Sequence, residues 1–250
     1  MASVKPSNPD PPPRRQRARA TRLRIAGAAA ALFRERGYTR TTMADIAAAA
    51  GVAVQTVYFV FHTKTEVLDS AYGLAVMGED EPAVPQDQPW YRQAVVEPDV
   101  AVAVRLVVEG VSEILRRVAP LDHAVRAAAA ADPEAAAFLA RNEGMRADGY
   151  REMLGFLVVK RPLREGLTQE RAVDVLLFLA SPGAYRALVI ERGWSHAEWV
   201  AWTSGALCQA LFAPGADQPS GVAAPLATPH LAPAGASSAG RRRPTRRDDR

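Results

Sequence analysis

Six arginines stand within eleven residues near the N-terminus, a spacing that suits binding to phosphate groups. They are Arg14, Arg15, Arg17, Arg19, Arg22 and Arg24. Proteins bind nucleic acid largely by neutralising backbone phosphates with such side chains. We therefore interpret this segment as an arm that binds DNA phosphates or the minor groove. A solvated extension with no partner is the alternative.

The charge of the whole chain is divided unevenly along its length. Residues 1–66 hold 11 lysines and arginines against 4 acidic residues, whereas residues 67–212 hold 14 against 20. A basic module joined to an acidic one is the pattern expected of a nucleic-acid-binding domain attached to a different module. Charge alone fits a partnerless basic tail equally well.

Residues that could support catalysis or bind a metal are scarce. The single cysteine, Cys208, excludes an internal disulfide and a multi-cysteine zinc site, and we interpret it as a small buried hydrophobe. The four histidines lack metal-ligand spacing. His123 adjoins Asp122, but adjacent residues of a helix point apart. We predict no catalytic residues, no metal, no cofactor and no enzymatic activity.

Apolar runs are too short for a membrane span. The run Ala26–Phe33 is eight residues long, whereas crossing a bilayer takes roughly 18 or more. No apolar stretch near the N-terminus ends at a small-residue cleavage site. We expect a cytoplasmic globular protein with no membrane partner.

Four helices are predicted in the basic N-terminal part. The first, about residues 21–36, follows from apolar residues at i, i+3, i+4, i+7 and i+8. Thr42 and Asp45 form a capping box for a short second helix, which Gly51 ends. A second Thr-x-x-Glu box at Thr63 opens the fourth helix.

The third helix, about residues 54–60, is predicted against its local propensity. Its β-branched and aromatic residues favour a strand, but a strand needs partners for its backbone groups and none is predicted nearby. Val54, Val57 and Phe61 recur at helical spacing. Packing against the first helix is expected to outweigh a propensity deficit of roughly a few tenths of a kcal/mol per residue.

The acidic part is predicted to hold five longer helices. Residues 78–97 contain three prolines and are expected to form a linker or an irregular loop. The helices are expected at about 98–118, 120–131, 133–160, 168–191 (kinked at Pro182) and 195–212. The chain is therefore predicted to be all-α, with about nine helices.

The composition divides the chain into four parts. Residues 1–19 are expected to be a disordered, basic and proline-rich arm, and residues 213–250 a disordered tail with a basic tip. Residues 20–66 form the predicted DNA-binding domain. Residues 67–212 form a helical domain for ligand binding and dimerisation.

Two short helices joined by a tight turn at Gly51, and braced by a longer preceding helix, form a helix-turn-helix. The stretch Thr41–Leu68 contains TTMADIA, AGV, TVYFVF and KTEVL in that order, and it resembles the DNA-binding signature of the TetR (tetracycline-repressor-like) transcriptional regulators. Phe33–Tyr38 resembles that family's first-helix ending. The segment from Ser181 to Trp194 resembles its C-terminal domains.

The resemblance implies a role for each matching residue. Thr42 caps its helix and places its hydroxyl or backbone N–H at a phosphate. Tyr58 brings its hydroxyl, and Lys64 its charge, to phosphates. Gln55 and Thr56 are the polar residues of the recognition helix, and Gln55 suits bidentate pairing with adenine, worth about 1–3 kcal/mol of discrimination. The implied DNA-binding set is Thr42, Ala53, Val54, Gln55, Thr56, Tyr58, Phe59 and Lys64.

Three positions depart from the family's common pattern. Ala53 stands where serine is frequent, and Phe59 and Val60 stand where polar residues are frequent. Fewer hydrogen-bonding groups therefore face the groove. We expect readout to depend more on thymine methyl groups and on DNA shape.

The resemblance also implies a homodimer and a small-molecule pocket in the C-terminal helices. We expect the last two helices to form a four-helix bundle with their symmetry mates. Their apolar residues serve either this interface or an intrachain core, and they are Leu176, Leu177, Ala180, Trp199, Trp202, Leu207 and Leu211. The effector is expected to be largely apolar. Residues that line its pocket or the core are Trp90, Tyr91, Phe138, Met145, Tyr150 and Met153.

We interpret the chain as a ligand-responsive transcriptional regulator, a repressor rather than an activator, that binds a near-palindromic double-stranded operator as a dimer. An enzyme on an all-α scaffold would need a nucleophile–base or metal constellation, and the sequence has none. A helical protein-interaction adaptor without specific DNA binding is the alternative. The hydrophobic pair Phe59 and Val60 is the best support for it. The effector, the operator and the sign of regulation stay open.

Overall fold

The computed structural model describes residues 14–78 and 85–213, and these residues are almost entirely helical. The N-terminal helices are α1 (Arg14–Arg36), α2 (Met43–Ala50), α3 (Val54–Val60) and α4 (Lys64–Met77). A short 3-10 turn at Pro85–Asp87 precedes the remaining helices. These are α5 (Pro89–Val96), α6 (Val100–Ala131), α7 (Pro133–Lys160), α8 (Gln169–Leu179), α9 (Pro182–Tyr185), which continues as a π-helical turn to Ile190, and α10 (His196–Leu211). The predicted all-α fold is confirmed.

Helix α1 begins at Arg14, two turns before the predicted start near residue 21. Arginine, glutamine and alanine are good helix formers, and the last of the N-terminal prolines precedes this segment. The expectation of a disordered arm is therefore wrong for residues 14–19. For residues 1–13 and for the tail from 214 onward, it lies outside the described residues.

The ends of α2 follow from its sequence. Thr42 and Asp45 form the predicted capping box, in which the Thr42 side chain accepts from the Asp45 backbone N–H and the Asp45 carboxylate accepts from the Thr42 backbone N–H. Gly51 ends the helix with φ 63°, in the left-handed region that glycine adopts without a Cβ penalty. The chain then bends by 105° between α2 and α3, as expected of a helix-turn-helix.

Helix α3 forms despite its strand-like composition. Val57 and Phe61 are completely buried among residues of α1 and α4, so tertiary packing fixes the helical conformation that propensity opposes. Both residues belong to a core that also contains Ile25 and Leu68.

The core of the N-terminal helices extends into the following part of the chain. Leu121 and Val125 of α6 and Phe138 of α7 belong to the same buried cluster as Ile25 and Phe61. The end of α6 and the start of α7 are thus packed directly against the helix-turn-helix.

Three features of the C-terminal helices differ from the prediction. The two helices predicted at about 98–118 and 120–131 are one continuous helix, α6, with Pro120 inside it. Part of the expected linker is the helix α5. The predicted helix 168–191 is divided at Ser181, whose side chain caps α9, so Pro182 begins a new helix instead of kinking one.

Helix α5 is fastened to α6 and α7 by specific contacts. The indole of Trp90 lies so close to Gly110 of α6 that a Cβ there would fall about 2.0 Å from the ring. The Tyr91 hydroxyl donates to Glu152 over 2.7 Å, and Lys160 Nζ donates to the Val95 carbonyl over 2.7 Å.

Candidate nucleic-acid interface

The outer face of α3 presents large side chains to solvent. Phe59 is 86% exposed and Tyr58 is 53% exposed, although both are aromatic. Gln55 beside them is also exposed. Val57 and Phe61 anchor the opposite face in the core. A short helix with one face buried in the core and the opposite face exposed to solvent is the arrangement found in helices that enter a major groove.

The start of α3 adds three less prominent residues to this face. Ala53 is the N-cap and makes no side-chain hydrogen bond. Val54 is 37% exposed, and Thr56 is half-buried. The structure therefore groups Ala53, Val54 and Gln55 at the N-terminal end of the helix, with Thr56 less accessible.

Thr42 lies at the surface, but its donors are engaged with Asp45. Its backbone N–H and its hydroxyl donate to Asp45 Oδ2 over 2.9 and 2.7 Å. The hydroxyl and then the backbone N–H of Thr42 hold the pKa of this carboxyl below its usual value. A phosphate at Thr42 would compete with the Asp45 carboxylate for the same donors.

Lys64 is more deeply engaged than its sequence suggests. Its Nζ donates to the carbonyl oxygens of Tyr38 and Thr41 over 3.0 and 3.1 Å, and it lies 4.1 Å from the centre of the Tyr38 ring. Burial lowers the pKa of the ammonium, and the charge of Asp132 opposes this shift. Lys64 thus fastens the start of α4 to the turn before α2.

A polar chain that the sequence analysis missed joins this turn to the α6–α7 junction. The Tyr38 hydroxyl is 3.1 Å from Thr65 Oγ1, which donates to Asp132 Oδ2 over 3.1 Å. Burial is the main reason that the pKa of Tyr38 is raised. Asp132 is the N-cap of α7, and its carboxylate also contacts α4 through Thr65.

A second missed contact joins α1 to the end of α3. The guanidinium of Arg22 lies 4.3 Å from the centre of the Phe61 ring. Its Nη1 is 3.4 Å from the Val60 carbonyl oxygen. The N-terminal turns of α1 therefore lie beside the C-terminal end of α3.

Outside this face, the acidic residue considered for catalysis forms ion pairs within the fold. Within residues 14–78 and 85–213, no group of three or more His, Cys, Asp or Glu residues is placed to hold a metal. Asp122, considered above beside His123, is paired with Arg126 over 3.1 Å and approaches Arg186 at 3.8 Å. Its surroundings are those of an ion pair within the fold.

Most residues considered for the dimer interface are core residues. Leu176, Ala180, Trp199, Leu207 and Leu211 are buried within the single chain, because α8 and α10 pack against α6 and α7 inside it.

The exposed apolar surface lies on neighbouring positions of the same helices. Phe178 of α8 is 75% exposed, and Trp202 of α10 is 40% exposed. A shallow groove of about 560 Å³ adjoins Phe178 and is lined by Leu167, Arg171, Asp174, Val175, Phe178 and Leu179. The segment Gln169–Ile190 has the length and composition of a membrane-spanning helix, but it is broken at Ser181.

The pocket candidates are divided in the same way. Tyr91, Phe138, Tyr150 and Met153 are buried in the core, whereas Met145 is exposed. Trp90 of α5 is half-buried, and its ring packs against Gly110 of α6. Tyr150 donates to the Ala180 carbonyl over 2.5 Å.

Comparison with known proteins relates the N-terminal helices to one family. Residues 25–71 match the model of the bacterial regulatory proteins of the tetR family. The match begins at Ile25 and ends at Ala71, so it covers the second half of α1 together with α2, α3 and the first part of α4. No curated protein matches the chain.

Solved structures with similar folds extend over three quarters of the chain. NalD of Pseudomonas aeruginosa, the secondary repressor of the MexAB-OprM multidrug efflux pump, is 20% identical, with 78% of this chain and 98% of that chain covered and a TM-score of 0.58. FadR of Bacillus halodurans, a fatty acid degradation regulator, is 20% identical, with 75% and 94% covered and a TM-score of 0.61. A TetR transcription regulator from Haloarcula marismortui is 14% identical, with 78% and 100% covered and a TM-score of 0.56.

Proposed function

We propose that this chain binds a near-palindromic operator as a homodimer and is released by a small molecule. Residues 25–71 match the tetR-family model, and the fold is similar to that of TetR-family transcriptional regulators. The family identifies a DNA-binding regulator rather than an enzyme. The observation that carries the proposal is the outer face of α3, where Gln55, Tyr58 and Phe59 are exposed while Val57 and Phe61 are buried.

The residues of this face divide into base contacts and phosphate contacts. Gln55 pairs with a base edge, and its amide suits adenine N6 and N7. Tyr58 donates its hydroxyl to a phosphate, and Phe59 packs on a thymine methyl group. These side chains are exposed on the outer face of α3.

Thr42 and Lys64 contribute to the same interface mainly as positioning residues. Thr42 meets a phosphate at the start of α2 by sharing its donors with Asp45. Lys64 has two of its three N–H groups committed to backbone carbonyls, and the third is left for a phosphate. Ala53, Val54 and Thr56 fit α3 closely against the groove.

The homodimer is formed by α8 and α10, through Phe178, Trp202 and the groove beside Phe178. A large exposed apolar patch on a monomer usually marks an interaction site, and a twofold axis makes one patch self-complementary. Two α3 helices then reach successive major grooves, about 34–36 Å apart.

Release by a ligand follows from coupling between the two parts of the protomer. A largely apolar effector among α4 to α8 favours a dimer whose α3 helices are wrongly spaced. A coupling of about 1–3 kcal/mol changes DNA affinity some 5- to 150-fold, and operator DNA weakens ligand binding by the same factor. We propose repression as the outcome, by analogy with the repressor NalD, and the cytoplasm as the compartment.

The direct test is retardation of DNA from upstream of the chain's own gene. Specific retardation by the wild-type chain, weakened by Gln55→Ala, supports the proposal. Gln93→Ala on the exposed surface of α5 is the matched control, and it should leave retardation unchanged. Equal binding of the upstream fragment and of a shuffled fragment would contradict specific recognition.

A protein-interaction adaptor is the second candidate, and the nearly full exposure of Phe59 favours it. An exposed aromatic residue on a short helix also suits a protein groove. The adaptor predicts no sequence-specific retardation for any duplex. It also predicts that Phe59→Ala leaves nonspecific DNA binding intact.

A further inference from the structure

The first two turns of α1 carry basic residues and no acidic ones. The sequence has no aspartate or glutamate between Asp10 and Glu35. Residues 14–20 are helical and exposed, and they extend α1 beyond its buried part, which begins at Ile25. Their positions are therefore set by the helix and not by a flexible arm.

The arginines of this extension lie on two different faces. Helical spacing places Arg15, Arg19 and Arg22 at i, i+4 and i+7. Continuing this row toward the C-terminus leads to the buried residues Ala26 and Ala29. Arg17 and Arg24 are seven residues apart and lie on the opposite face of the helix.

The position of Arg22 fixes where the first row lies. Its guanidinium stacks on Phe61 and approaches the carbonyl of Val60, the last residue of α3. Arg19 and Arg15 continue the row away from the core for about 10 Å, at a rise of about 1.5 Å per residue. Because Arg22 contacts the C-terminal end of α3, Arg19 and Arg15 lie about one and two turns farther from the core along α1.

We propose that Arg15 and Arg19 bind DNA phosphates flanking the half-site, with Arg22 as the positioning residue that sets the angle of α1 against α3. The inference rests on the proposed function and adds a defined phosphate contact outside the helix-turn-helix. It assigns the contact to a rigid helical face, in place of an arm in the minor groove. The positive charges of Arg15 and Arg19, with no acidic residue nearby in the sequence, complement the negative phosphates of DNA.

The test compares two double variants with the same net charge. Arg15→Gln/Arg19→Gln removes two charges from the proposed DNA face, and Arg17→Gln/Arg24→Gln removes two from the opposite face. Glutamine preserves helix propensity. The probe is a duplex enriched from a random-sequence library by the full-length wild-type chain, and its affinity is measured at several salt concentrations.

In the first variant, the negative slope of log affinity against log salt is expected to become shallower by about 1.8, because each lost phosphate contact contributes about 0.9. The second variant is expected to keep the wild-type slope, and Arg15→Lys/Arg19→Lys is expected to restore it. Equal slopes for the two glutamine variants would overturn the proposal while leaving the proposed function intact. Failure of the wild-type chain to enrich any duplex would instead contradict the proposed function.

Discussion

Phe59 and Phe61 stand two residues apart and have opposite surroundings. Phe59 is 86% exposed, whereas Phe61 is fully buried beneath Arg22. Water does not favour an exposed phenyl ring, so folding does not account for Phe59. Phe59 is therefore available for binding, whereas Phe61 stabilises the fold.

We predict that Phe61→Ala lowers the free energy of unfolding by about 3–5 kcal/mol, the usual cost of truncating a buried aromatic residue. Phe59→Ala should change it by less than about 0.5 kcal/mol and should weaken binding to the enriched duplex. Urea unfolding and fluorescence anisotropy measure the two effects. A large loss of stability in Phe59→Ala would show that the residue has an unrecognised packing role.

The rate at which the Cys208 thiol is alkylated is expected to depend on pH. Burial raises the pKa of this thiol, and the thiolate is the reactive form. A raised pKa reduces the thiolate fraction of the folded chain at pH 8. Alkylation by iodoacetamide should therefore be slower in the folded chain than in urea, and its rate should keep rising above pH 9. Cys208 is half-buried against the core and not fully buried as expected from the sequence. Equal rates for the folded and unfolded chains at pH 8 would contradict this environment.

At the scale of elements, helix α5 depends on the close contact between Trp90 and Gly110. A Cβ at position 110 would fall within 2.4 Å of three ring atoms of the indole, so either α5 or the ring has to move. Gly155 of α7 is also helical, but a Cβ there meets no atom within 4 Å.

We predict opposite effects for the same substitution at these two glycines. Gly110→Ala should destabilise the chain by roughly 1–3 kcal/mol through overpacking and should shift the tryptophan fluorescence. Gly155→Ala should stabilise it by roughly 0.5–1 kcal/mol through helix propensity. Urea unfolding of both variants checks this, and a stabilising Gly110→Ala would contradict the described packing of α5.

How far the sequence predicts these elements depends on whether local signals determine them. The caps of α2 and α4 and the turn at Gly51 depend on residues within four positions of one another, and they are predicted correctly. Helix α6 continues through Pro120, which the local rule treats as a break. Burial on both sides of Pro120, at Leu115 and Leu121 among others, outweighs a cost of about 3 kcal/mol.

In the candidate nucleic-acid interface, too, the sequence predicts the features that local spacing determines and misses the contacts between distant residues. The exposed face of α3 follows from the spacing of Val57 and Phe61. The contacts of Lys64 with Tyr38 and Thr41 span more than twenty residues, and no local pattern indicates them. The apolar residues of α8 and α10 are recognised from sequence as a set, but the sequence does not divide them between the core and the surface.

At the scale of the whole molecule, the proposed dimer would determine which DNA can be read. Phe178 of α8 is exposed beside an apolar groove, and Val96 of α5 is similarly exposed at 78%. Of these two residues, only Phe178 belongs to the proposed twofold interface.

We predict that Phe178→Glu converts the dimer to a monomer, because it places a charge in a desolvated interface. Val96→Glu, the matched control, should remain dimeric. Sedimentation velocity distinguishes the two. A dimeric Phe178→Glu chain with wild-type affinity for itself would exclude this surface as the interface.

Selection from a random-sequence duplex library tests whether the exposed face of α3 recognises duplex DNA. We predict that the wild-type chain enriches two inverted half-sites whose centres lie about 10 base pairs apart. We also predict that Gln55→Ala relaxes the preference at one symmetric pair of positions. A library that stays random after selection, or an unchanged preference in Gln55→Ala together with Tyr58→Phe, would contradict it.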